Sequence, residues 1–228
     1  MKNKIAQIDE STVQHNLINL KQIVFEVTEK CHLKCRYCGL SDLYQKYDIR
    51  QNRDMPFNKA KLIIDYLLNI WKNNQLSNTV IDVAVSFYGG EPLMNIPLIK
   101  EIIAYLEKTK ITGRKYHYSM TTNGMLLDKY MDFLAEKKFN LLISMDGDEN
   151  SHSYRVDKSG NNSFNQVLRN VKLLKRKHPD YFHQSVNFIS VLHNRNDIEP
   201  IYRFFKSFFN KGARIVPLGT SGVSEDKK

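Results

Sequence analysis

The stretch "CHLKCRYCGL", residues 31–40, holds all three cysteines of a 228-residue chain within eight positions. A core that needs small apolar residues would scatter them, so the spacing Cys31-x3-Cys35-x2-Cys38 points to shared chemistry. A disulfide would leave one thiol over. Structural zinc takes four ligands, usually from two separated cysteine pairs, and the chain has no second pair. His32 adjoins Cys31 but would point away from it, and His117 could approach only through the fold. Three thiolates on one loop suit three irons of a [4Fe–4S] cube, whose fourth iron stays open to an exogenous chelating ligand.

The bulk of the chain narrows the setting. With 42% hydrophobic and 25% charged residues it reads as a soluble globular protein of one large domain or two small ones. The opening "MKNKIAQIDESTVQHN" has no apolar core region and does not read as a secretory signal. No apolar run approaches the length of a bilayer span, so no membrane is expected. Three close thiols without such a signal predict a reducing cytoplasm. The net charge of +10 would suit nucleic acid, an acidic peptide or an anionic cofactor. The lysines and arginines of "EKTKITGRK" and "KLLKRKH" read more simply as solvated helix faces and loops.

The elements that must position the cysteines alternate regularly. "QIVFEVT" (22–28) is a β-branched and aromatic strand that ends at the cysteines. A polar loop follows from about Leu40 to Phe57. Asn58 then caps a helix whose apolar residues Ala60, Ile63, Ile64, Leu67, Leu68 and Trp71 share a face. "IDVAVSFYGG" (81–90) is the second strand, and Pro97 suits the first turn of a helix bearing Ile99, Ile102, Ile103 and Leu106. "YHYSMTTNG" (116–124), "NLLISMDG" (140–147), "SVNFISVL" (185–192) and "ARIVPL" (213–218) are the remaining strands. Between them come a helix from about Asp128 to Lys137, one opened by a Ser163/Gln166 capping box and one opened by Asn196 and Glu199. The last carries Ile201, Phe204, Phe205 and Phe208, with Phe209 beside them, and these aromatics read as core.

Six strands separated by five helices predict an α/β fold with a parallel sheet. The strands look apolar throughout, as if buried on both faces. An open doubly wound sheet and a curled partial barrel both fit the periodicity. In either, the loops after the strands share one edge, where ligands bind. The cysteines, "GGEP", "TNG" and "SMDG" all fall at that edge. The end of the chain, "GTSGVSEDKK", reads as a polar tail with no sixth helix.

The loop Cys31-x3-Cys35-x-Tyr37-Cys38, with an aromatic residue just before the last cysteine and a strand before the first, resembles the signature loop of the radical S-adenosylmethionine (radical SAM) superfamily. The resemblance runs from Val24 to about Leu218. "FYGGEPLM", "TTNGMLL" and "ISMDGDENSHSYR" resemble one branch more closely, the SPASM-type peptide and protein maturases related to anaerobic sulfatase-maturating enzymes. The resemblance implies a partial (β/α)6 TIM-like barrel, with residues 1–20 as an N-terminal extension, 21–220 as the core domain and 221–228 as a tail. It implies a [4Fe–4S] cluster on Cys31, Cys35 and Cys38, and S-adenosylmethionine as the second cofactor. Reductive cleavage would give a 5′-deoxyadenosyl radical that takes hydrogen from a peptide or protein side chain. The implied partners are that substrate and an electron donor such as flavodoxin or ferredoxin.

Roles for single residues follow by the same resemblance. Gly89, Gly90 and Glu91 would receive the cofactor's methionine amino group, mostly through backbone oxygens. On their own terms the glycines allow a sharp turn and close approach, a property shared with plain strand-to-helix turns. Ser144 would touch the ribose or methionine end, and Arg155 the cofactor carboxylate, for which a guanidinium fork is well shaped. Asn123, in an Asn–Gly turn, would set an amide near the ribose or substrate. Tyr37 would give backbone contacts to the adenine while its ring shields the cluster. Asp146 is placed to orient its loop or to reach substrate, and His152 and Tyr154 have no assigned role. Maturases of this branch usually carry a cysteine-rich C-terminal extension, and this chain has no further cysteines. A basic nucleic-acid-binding domain with structural zinc on the three cysteines is the competing reading. It lacks a fourth ligand and an aromatic-basic recognition motif.

Overall fold

The β-branched and aromatic runs pair as six parallel strands in a computed structural model that describes residues 8–39, 50–74 and 80–219. The polar tail 221–228 and part of the 40–57 loop lie outside the described residues. The strands are β1 (Gln22–Thr28), β2 (Ile81–Gly89), β3 (Arg114–Thr122), β4 (Asn140–Ser144), β5 (Val186–Leu192) and β6 (Arg214–Pro217). Each pairs with the next in chain order. A doubly wound sheet would reverse its order part-way. The unbroken order instead sends every crossover to the same side, and the sheet curls as a partial (β/α)6 barrel.

Seven α-helices accompany the strands among the described residues: α1 (Glu10–Ile18), α2 (Phe57–Asn73), α3 (Ile96–Lys108), α4 (Leu127–Glu136), α5 (Phe164–Lys177), α6 (Pro179–Ser185) and α7 (Ile198–Phe209). The sequence reading contains five of these and misses α1 and α6. Helix α1 lacks any buried residue, so it offers no apolar stripe to detect. Its end is held by Leu17, which packs partly buried against the core, and by polar contacts. The Trp71 indole donates to Leu17 O at 2.9 Å, and Arg114 donates to Ile18 O at 2.6 Å while lying 4.9 Å over the Trp71 ring.

The sheet buries one face only. Ile23, Phe25 and Val27 of β1 and Val83, Val85 and Phe87 of β2 pack against the helices. On the other face Val24 is 58% exposed and Tyr88 51%. The reading of strands buried on both sides is therefore corrected: six strands do not close a barrel, and the inner face stays open. No helix among the described residues is long and apolar enough to cross a membrane.

Strand ends and caps shift from the sequence reading for local reasons. β3 stops at Thr122, so Asn123 and Gly124 leave the ladder, with Gly124 at φ 80°. β4 stops at Ser144, and Gly147 beyond it has φ 121°. Asn58 lies inside α2, where Pro56 occupies the cap position. The Ser163/Gln166 box does not form. The Ser163 hydroxyl donates to Arg155 O, Gln166 donates to Met125 O, and Asn162 accepts from the Phe164 N–H instead. Asn196 accepts from His193 N and donates to Val191 O, leaving Asp197 as the cap of α7. Ile63 is 46% exposed and off the buried stripe of α2.

The α7 aromatics form core as read, Phe208 excepted. Phe188 sits 4.8 Å from the Phe205 ring and 4.9 Å from Phe209, all fully buried, whereas Phe208 is 42% exposed. Phe205→Ala is expected to lower unfolding free energy by about 3–5 kcal/mol in urea titrations, through lost transfer and a residual cavity. Phe208→Ala should cost about 1 kcal/mol or less.

Candidate active site

The exits of β1 and β2 pack unusually close. Gly90 N donates to Thr28 O at 2.9 Å and Glu91 N to Lys30 O at 2.8 Å. A Cβ on Gly89 would lie 2.2 Å from Thr28 O, and one on Gly90 2.3 Å from Lys30 O. The two glycines are thus required by the neighbouring backbone, whatever ligand approaches. Glu91 is buried behind them. Its carboxylate accepts from Thr122 Oγ1 at 2.7 Å, Asn123 N at 2.7 Å and Leu93 N at 3.1 Å. Burial pushes this carboxyl up to about 7, against the pull of those three donors. It ties the exit of β2 to the exit of β3, and its oxygens are engaged within the protein.

The cysteine loop is docked on the segment that follows β4. Lys34 N donates to Val156 O at 2.7 Å and Arg36 N to Tyr154 O at 2.9 Å. Cys31 Sγ accepts from Leu33 N at 3.4 Å and from Asn123 Nδ2 at 3.8 Å. Burial raises the Cys31 thiol to about 11 and the Cys35 thiol to about 12. Without a metal these two thiols stay protonated at neutral pH, and ligation would release their protons.

Asp146 is the hub of the polar network. Its carboxylate is fully buried and accepts from Arg155 Nε at 3.0 Å, Arg155 Nη2 at 3.1 Å, Val191 N at 3.0 Å and the Tyr37 hydroxyl. Burial alone would raise this carboxyl, but the Arg155 guanidinium overrides it and holds it below its ordinary value. Burial likewise disfavours the Arg155 cation, and the Asp146 charge more than restores it. Asp146 N donates to His152 Nδ1 at 3.3 Å, and His152 Nε2 meets Ser163 Oγ at 3.0 Å. Since Ser163 donates onward to Arg155 O, His152 must carry its proton on Nε2 and remain neutral.

A cavity of about 510 Å³ opens at this edge. Cys31, Cys35, Tyr37, Cys38, Gly89, Gly90, Glu91, Asn123, Ser144 and Arg155 all line it, so the structure brings every candidate residue to one place. Two of them turn part of their chemistry elsewhere. Tyr37 presents its ring to Tyr154, His193 and the Arg155 guanidinium, 5.3 Å away, and Arg155 spends two donors on Asp146. Sequence reasoning missed Thr122 and His193 and left His152 without a role. Only the "SHSYR" spacing hinted at the last, because their partners come together through the fold.

The donor set fits a cube better than a single ion. Three sulfurs line one cavity, and among the described residues no three His, Cys, Asp or Glu side chains converge to hold one metal ion. A cube asks only one thiolate of each of three irons. The structural-zinc reading is not favoured.

The chain is similar to known proteins in sequence and in fold. The family described as "Radical SAM superfamily" matches residues 25–205. A cysteine-type anaerobic sulfatase-maturating enzyme of Clostridium novyi (strain NT) is 28% identical over 204 residues, 87% of this chain and 51% of that protein. A serine-type anaerobic sulfatase-maturating enzyme of Bacteroides thetaiotaomicron is 29% identical over 82% of this chain and 44% of its own length. The solved structure of native anSMEcpe with bound AdoMet superposes with a TM-score of 0.71 at 25% identity, over 87% of this chain and 52% of that one. The chain spans about half the length of the curated relatives it matches.

The buried histidine gives a pH test. Burial first, then the Arg155 cation, lowers His152 to about 3, while in the unfolded chain it would titrate near its ordinary 6.5. The unfolded state therefore takes up this proton first, and stability drains as pH falls from about 6.5 toward 3. The melting temperature should drop between about pH 7 and pH 5, and drop less in His152→Gln; equal slopes would contradict the assignment.

Proposed function

Because the chain belongs to the radical SAM superfamily, we propose that it modifies a peptide or protein side chain by radical chemistry, with residues 21–220 as the core domain. The observation that carries this reading is the convergence of three cysteine thiols, the Gly89–Gly90 turn and Arg155 on one cavity at the strand exits. When bound, a [4Fe–4S] cluster and S-adenosylmethionine together supply a 5′-deoxyadenosyl radical that abstracts hydrogen from an unactivated carbon.

The chain's own residues divide the work of holding those groups. Cys31, Cys35 and Cys38 would each hold one iron of the cluster. The backbone oxygens of the Gly89–Glu91 turn receive the methionine ammonium, and the Glu91 carboxylate fixes that turn through Thr122 and Asn123. Arg155, a cation at neutral pH, directs its remaining donors to the methionine carboxylate, with Ser144 beside it on the cavity wall. Asn123 offers its amide to the ribose side, and Tyr37 backs the cysteine loop toward the adenine. The open inner sheet face, with Tyr88 half exposed at its rim, leaves room for a substrate chain.

Relatives that mature sulfatases support a peptide or protein substrate. A one-electron donor such as flavodoxin or ferredoxin completes the system, and a reducing cytoplasm suits its three close thiols.

The test is anaerobic reconstitution with iron and sulfide, reduction with dithionite and chromatographic assay of 5′-deoxyadenosine. The wild-type chain should form it and Cys35→Ala should not; product from the cysteine variant would refute the assignment. Arg155→Lys loses the bidentate fork and should raise the KM for S-adenosylmethionine by about tenfold.

A further inference from the structure

We propose that Asp146 is a positioning residue that latches the cysteine loop to the wall of the cofactor cavity, through the Tyr37 hydroxyl on one side and the Arg155 guanidinium on the other. Tyr37 lies between Cys35 and Cys38, so whatever holds its ring holds the span between two of the three thiols. Its hydroxyl donates to Asp146 Oδ2, the oxygen that also receives Arg155 Nε at 3.0 Å. Oδ1 receives Arg155 Nη2 at 3.1 Å and Val191 N at 3.0 Å. Four donors thus occupy a carboxylate with no solvent to replace any of them. The Arg155 guanidinium also lies 5.3 Å over the Tyr37 ring. A displacement of either side chain therefore disturbs the other.

The hub itself is fixed from behind. Asp146 N donates to His152 Nδ1 at 3.3 Å, and Asp146 O accepts from Ser190 Oγ at 3.2 Å. The loop is therefore set in place by the protein before any iron arrives, and the group that faces the cofactor shares its anchor.

The second arm of the test rests on the radical SAM reading; the first does not. In the cluster-free protein, Tyr37→Phe keeps the ring and removes only the hydroxyl. Labelling of the thiols by a disulfide reagent should accelerate about tenfold, the equivalent of one hydrogen bond to a charged group. After reconstitution the variant should hold the same iron and sulfide per chain as wild type. It should need about tenfold more S-adenosylmethionine to reach half of the cofactor-dependent spectral change. Tyr181→Phe is the control, because its hydroxyl bonds Phe139 O at 2.8 Å at the other end of β4. It should leave both readouts unchanged. Wild-type labelling rates in Tyr37→Phe, or equal shifts in Tyr181→Phe, would overturn the latch. A wild-type chain that takes up no cluster would count against the radical SAM reading, while thiol labelling would still decide the latch.

Discussion

Six parallel strands laid down in chain order leave every crossover helix on one side of the sheet, and those helices need an apolar face to cover. The sheet supplies it on its outer side, through residues such as Phe25, Val85 and Phe188. Curling with that side outward turns the other face inward, where Val24 and Tyr88 remain exposed. The same parallel register brings the exits of β1 to β4 to one rim. The cysteine loop, the double glycine, the Asn–Gly turn and the loop carrying Asp146 meet there because the strands before them do. A site that must shield a radical needs walls on several sides and an opening for substrate, and a partial barrel provides both.

Charge at the rim is balanced by pairing. Asp146 and Arg155 are both buried, and each overcomes the cost of burial by holding the other. Removing either partner of such a pair would leave an uncompensated buried charge, at a cost of about 3–5 kcal/mol. Glu91 is balanced differently, by three neutral donors and no cation, and its carboxyl correspondingly rises to about 7. The two acids show why a motif alone does not reveal a role: both lie at the same strand exits, and both turn their oxygens toward the protein.

Much of the scaffold was legible in the sequence because burial leaves a periodic trace. The outward-facing strand residues and the stripes of α2, α3 and α7 follow it. Helix α1 left no trace because it buries no residue fully and docks through the partly buried Leu17 and bonds from Trp71 and Arg114. The cap signals at Ser163 and Asn196 misled because those side chains bond backbone earlier in the chain, at Arg155 and Val191. The cysteines, glycines and Arg155 could be picked out by type and spacing, and the fold brings them to one cavity. The Asp146 hub could not. Its partner Tyr37 is 109 positions away and Val191 is 45, distances that only the fold can close. The strands' inner face was misjudged for a related reason. Whether a barrel closes depends on the number of strands, which no single strand encodes.

Cys31, Cys35 and Cys38 would hold a [4Fe–4S] cluster on the cavity that Gly89, Gly90 and Arg155 also line. Electron paramagnetic resonance of the reconstituted, reduced chain tests it most directly. A [4Fe–4S] signal is expected, with g-values that change when S-adenosylmethionine is added. One tightly bound zinc per chain with no iron–sulfur signal, or a cluster signal indifferent to the cofactor, would contradict it.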